Sequence, residues 1–165
     1  MELTQAQKTT LKNFILADSV LGPLATGPHD NQGVADLLNA EATPAFTVWK
    51  TAVTQDEIMQ NGFDWTRVDN LTNGSKWRIW EWMFSNPTRS TNPSKANVRA
   101  GIDATWVGTA QDLAVRAAVY VHCKRLASRL EKLFSTGTGS DAVPATMGLE
   151  GQITAEEVEA ALIQG

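Results

Sequence analysis

Apolar residues along this chain recur mostly at helical spacing, and polar signals cut them into short segments. Thr4 with Gln7 forms a capping box, and Leu11, Phe14 and Ile15 then share one face until Gly22-Pro23. Asp30 or Asn31 caps a second short helix burying Val34, Leu37 and Leu38. Thr43-Pro44 offers another start, with Phe46, Trp49 and Val53 following on one face. Thr54 with Glu57 repeats the capping box ahead of Ile58 and Met59, and Asp64 opens a segment with Trp65, Val68 and Leu71 inward. Ser75 begins an aromatic run, Trp77, Trp80, Trp82 and Phe84, and Pro87 and Pro93 bracket a polar loop.

In the second half, Ser94 caps a predicted helix carrying Val98, Ile102 and Trp106. Gly108-Thr109 then opens the principal predicted helix, about residues 110–134. Its apolar stripe runs through Leu113, Ala117, Tyr120, Leu126, Leu130, Leu133 and Phe134, widened by Val119, Val121 and Cys123. A stripe this broad predicts a central helix covered on more than one side. Asp112 at its start and Lys124, Arg125, Arg129 and Lys132 towards its end suit the helix dipole.

The low-complexity run Ser135 to Ser140 ends that pattern, with Gly137 and Gly139 as hinge residues. Period two replaces period 3.6 beyond it: Ala145, Met147, Leu149 and Ile153 fall on one face of an extended arm. A lone strand needs a partner, either a hairpin within the chain or the edge of another subunit. Thr154 with Glu157 then caps a terminal helix carrying Val158, Ala161 and Leu162. The expected class is all-α: a helical bundle built around one long helix, with an extended C-terminal β-like arm and a short terminal helix. The expected division is a helical body, 1–134, and a hinge-plus-arm segment, 135–165.

A chain of 165 residues with 42% apolar content supports one ordinary core, and no apolar run is long enough to span a bilayer. The formal charge is −4, and five acidic residues but no Lys or Arg follow Phe134, which leaves residues 1–134 at +1. Wrapping of nucleic acid by a chain so balanced is disfavoured. The single Cys123 excludes an internal disulfide, and the first residues lack a basic-plus-apolar leader, so synthesis inside a cell is expected.

No catalytic, cofactor-binding or metal-binding set is expected, and the chain reads as a non-enzyme. Gly137-x-Gly139-x-x-Ala142 has dinucleotide-loop spacing, but a helix precedes it and Pro144 follows, where the motif requires a strand and a helix N-terminus. His122 and Cys123 are adjacent, so on a helix they point about 100° apart and do not share an ion; Cys123 lies in the apolar stripe, away from the exposed setting a thiolate needs. Interleaving of the tryptophans with Lys76, Arg78 and Arg89 has the composition of a single-strand nucleic-acid platform. Core spacing takes Trp77, Trp80 and Phe84, leaving Trp82 to face a partner. The partner-facing residues expected are therefore Trp82 and, on the arm, Met147, Leu149 and Ile153.

The run Asn97-Val98-Arg99-Ala100-Gly101-Ile102, then Leu130-Glu131-Lys132-Leu133-Phe134 passing into Gly137-Thr138-Gly139, Pro144-Ala145 and Glu150-Gly151-Gln152-Ile153-Thr154, resembles small virion proteins of long-tailed bacteriophages. Within that group the helical body with a C-terminal extension is similar to head-to-tail adaptor (connector) proteins. The resemblance implies a virion structural protein made in the bacterial host cytoplasm. It further implies a dodecameric ring that binds the portal protein and a tail-side connector, and a lumen that passes double-stranded DNA without reading its sequence. Stopper, capsid-decorating and tail-completion roles in the virion are the alternatives, with a small nucleic-acid-binding module beside them.

Overall fold

The computed structural model describes residues 2–59, 66, 71–72, 74–75 and 89–165. The chain forms two compact units, one from residues 1–47 with 126–165 and the other from residues 48–125. The 135–165 segment, expected to stand apart from a 1–134 body, thus packs with the two ends of that body.

In the first unit, α1 (Gln5–Ala17) starts at the Thr4 capping box, and α2 (Leu21–Thr26) and α3 (Asn31–Asn39, capped by Asp30) follow. After the second unit come α7 (Arg129–Leu133), strands β5 (Ser135–Thr136) and β6 (Thr146–Met147), and α8 (Ala155–Gln164), opened by the Thr154 capping box. α8 lies against α1 and α3, and α3 also touches α2 and α7. Leu11, Ile15, Leu21, Val34, Leu38, Leu130, Ile153 and Val158 fill the space between them. Asp18 fixes the α1–α2 corner. Its Oδ1 accepts from the backbone N–H of Val20 and Leu21, and its Oδ2 accepts from Arg129 at 2.7 Å.

The second unit contains β2 (Val53–Thr54), α4 (Gln55–Ile58), β3 (Ser90–Thr91), α5 (Ala96–Thr105) and α6 (Ala110–His122). β2 and β3 are antiparallel, with Val53 opposite Thr91. Val53, Ile58, Ile102, Trp106, Val115, Val119 and Cys123 make its core. α5 begins after Lys95 instead of at Ser94, whose hydroxyl bonds the Asn92 side chain. β1 (Thr47–Trp49) and β4 (Lys124–Leu126) pair with each other.

The all-α expectation is overturned: the fold is mixed, with eight helices and several small antiparallel strand pairs among the described residues. The predicted long helix 110–134 is three elements, α6, β4 and α7. α6 stops at Cys123. Ser128 then begins α7 with its own capping box, its hydroxyl accepting from the Glu131 N–H while the Glu131 carboxylate accepts from the Ser128 N–H. The capping box satisfies N–H groups that the break leaves open at the start of α7, and pairing with β1 takes up backbone groups of β4. The helix expected from Thr43-Pro44 is instead the strand β1, because Thr47, Val48 and Trp49 are β-formers and β4 offers a partner. Of the segments from Asp64 and Ser75, Trp65, Val68, Trp77, Trp80, Trp82 and Phe84 lie outside the described residues, whereas Leu71 is half-buried against the second unit's core, as expected.

Candidate functional site

The arm folds back on its own chain. β5 and β6 form an antiparallel pair with Ser135 opposite Met147, and the Gly148 N–H donates to the Phe134 carbonyl at 3.0 Å. Gly137 and Gly139, the expected hinge, both take positive φ, +124° and +70°. Gly139 is buried, and a Cβ placed there would come within 2.1–2.4 Å of three Phe46 ring carbons. Its carbonyl accepts from the Thr47 N–H at 2.7 Å, and the Thr47 carbonyl accepts from the Ala145 N–H at 2.9 Å. Thr47 of β1 therefore holds the connection between β5 and β6 at two points, Gly139 and Ala145.

Of the expected partner-facing residues, Ile153 is 2% exposed in the first unit's core, Leu149 packs on that core and Met147 is half-buried in β6. Trp82 lies outside the described residues. Two side chains that the pattern reading passed over hold the arm. Asn39 bonds both backbone groups of Ile153, and the buried Glu131 accepts from the Gly151 N–H at 3.3 Å as well as capping α7. The Ser-x-x-Glu signature at Ser128 was the available signal for Glu131. Asn39 had none, because its partner is 114 residues away.

In the second unit a cluster of aromatic and charged groups joins α5 to α6. The Arg99 guanidinium sits 4.8 Å from the Trp49 ring centroid, and Trp49 and Tyr120 have centroids 5.5 Å apart. Arg99 donates to the carbonyls of Pro93 and Ser94, which employs the guanidinium in fixing the loop before α5. The Tyr120 hydroxyl has two acceptors, Asp103 Oδ1 at 2.9 Å and the Arg99 carbonyl at 3.1 Å. Burial, and then the Asp103 carboxylate, push its phenol well above the usual range, so it stays a neutral donor. These groups hold one another.

Burial also pushes the Cys123 thiol up to about 12, which removes the thiolate that nucleophilic chemistry needs. His29 is exposed at φ +54°, and His122 is half-buried in the last turn of α6. Among the described residues no three His, Cys, Asp or Glu side chains are placed to hold a metal ion. No helix of those residues is long and apolar enough to cross a membrane.

α6 departs most from expectation in which way it faces. Val115 and Val119 are buried, whereas Leu113 (43% exposed) and Val121 (65%), expected inward, face solvent. Ala110, Ala114 and Ala117 are exposed as well. These five positions, 110, 113, 114, 117 and 121, follow the spacing of a single helical face. α6 is thus apolar on two sides, one against the core and one open. No family model, no curated protein and no solved structure matches this chain.

Proposed function

We infer that the chain is a structural assembly protein of a bacteriophage virion, of the head-to-tail adaptor kind that residues 95–165 resemble. The observation that carries this reading is the division of charge between the two units. Residues 48–125 hold ten Lys and Arg against seven Asp and Glu, a formal +3; the remaining residues hold four against eleven, a formal −7. Unlike surfaces on one chain favour contact between the acidic unit of one copy and the basic unit of the next. Such head-to-tail contacts generate rings when the rotation closes, and opposite charge steers the encounter. In this reading the ring joins the portal to a tail-side connector and leaves a lumen for double-stranded DNA.

The arm enters this function differently from a free docking strand. Its apolar residues Ile153 and Leu149 are engaged in the first unit, so portal docking through them would require the Asn39 and Glu131 contacts to open. The test is the native mass of the purified chain, alone and with the portal protein of the same genome. Support is a ring, or a monomer that assembles on the portal. A chain that ignores the portal and stays monomeric overturns the adaptor reading.

A further inference from the structure

We propose that the open face of α6, formed by Leu113, Ala114, Ala117 and Val121, is the seat of a second copy of this chain, which binds through its acidic unit; this rests on the assembly reading above. A helix that is apolar on both sides is ordinarily covered on both. In α6, Val115 and Val119 account for the covered side, whereas Leu113 and Val121 are exposed, with no described residue covering them. The alanines keep the face low, so another helix approaches closely between the two larger side chains. The fully desolvated centre of such a contact supplies most of its affinity.

Charge selects the occupant. Lys124 and Arg125 follow the Val121 end of the face, in a unit of formal charge +3. A second basic unit would meet like charge there, whereas the acidic unit of formal charge −7 brings opposite charge. On that unit, α8 presents Glu156, Glu159 and Ile163 at spacings of three and four residues, all exposed, with Ile163 at 71%. That row offers one large apolar side chain beside two carboxylates, the chemistry that Leu113, Val121 and the basic start of β4 at Lys124 and Arg125 match. A contact from α6 of one copy to α8 of the next joins different surfaces, so each copy keeps one of each to offer.

The experiment compares the full-length chain with Leu113→Glu, Val121→Glu, the double change Glu156→Lys with Glu159→Lys, and Val143→Glu as a control, by sedimentation and native mass at low and high salt. Circular dichroism confirms that each variant keeps its fold, which the exposure of all five sites favours. The expected result is self-association of the unaltered chain that weakens with salt. Leu113→Glu and Val121→Glu should each lose about thirtyfold in affinity, the double change should weaken association too, and Val143→Glu should behave as the parent. Folded Leu113→Glu and Val121→Glu variants that associate as tightly as the parent overturn this interface and leave the ring reading standing. An unaltered chain that is monomeric at low salt overturns the self-contact, and its binding to portal then decides the adaptor reading separately.

Discussion

Asn39 holds Ile153 by both backbone polar groups: its Nδ2 donates to the Ile153 carbonyl at 2.8 Å and its Oδ1 accepts from the Ile153 N–H at 2.9 Å. The side-chain amide thus imitates a neighbouring strand and pins residue 153 to the end of α3. Because Ile153 is in the core, neither backbone group has ready access to water.

Asn39→Ala should therefore destabilise the chain by about 2–3 kcal/mol, the cost of leaving buried donor and acceptor groups unpaired. Asn39→Asp keeps the acceptor and loses the donor, so it should lie between. Urea titration gives the ranking, and limited proteolysis should show earlier cleavage within 137–152. An Asn39→Ala protein as stable as the parent would contradict the assignment.

Gly139→Ala combines a positive φ with a collision against the Phe46 ring. A loss of about 1–3 kcal/mol is expected from overpacking and backbone strain together. Phe46→Ala in the same chain removes the collision but not the strain, so the double variant should recover part of the loss beyond additivity. Strictly additive effects in thermal unfolding would show that the ring is not the obstacle.

Cys123 should be inert to a thiol reagent at neutral pH in the native chain and react once the chain is unfolded. Its folded value is raised above the ordinary 9.0 to about 12 by burial. The stabilisation it contributes is complete below the unfolded value and is lost as pH rises between these two. Native labelling at the rate of a free thiol would disprove the buried placement.

On the acid side the sign reverses. Backbone N–H groups of Leu21 and Val20, with Arg129 adding to them, hold the Asp18 carboxyl below its ordinary 3.8; the Thr54 N–H and Lys50 hold Glu57 below 4.5. Their stabilisation is present above the unfolded values and declines as pH falls through the folded ones. Unfolding midpoints should drop below about pH 4, and Asp18→Asn should flatten that drop. An Asp18→Asn curve parallel to the parent's at acid pH would remove Asp18 from the account.

Local signals carried much of the helical outline. The capping boxes at Thr4, Thr54 and Thr154 open helices, and the period-two run after Ser140 supplies β6. Each depends on atoms within a few residues, so each is readable from the chain alone. The break between α6 and α7 was also written there, in Ser128 and Glu131, but an unbroken apolar stripe across 113–134 masked it.

The amino-acid sequence by itself thus determined where most helices start, that the Gly-containing run 135–140 ends the helical pattern, and that the alternating arm needs a strand partner. Only the tertiary structure decided that the partner is the chain's own β5, that Asn39 and Glu131 hold the arm, and that Leu113 and Val121 face out. The reason is physical. A helix apolar around most of its circumference carries no phase in its pattern, so the neighbours that happen to pack against it choose the buried side. Contacts across more than a hundred residues, and the gathering of acidic residues into one unit, exist only once the chain has folded.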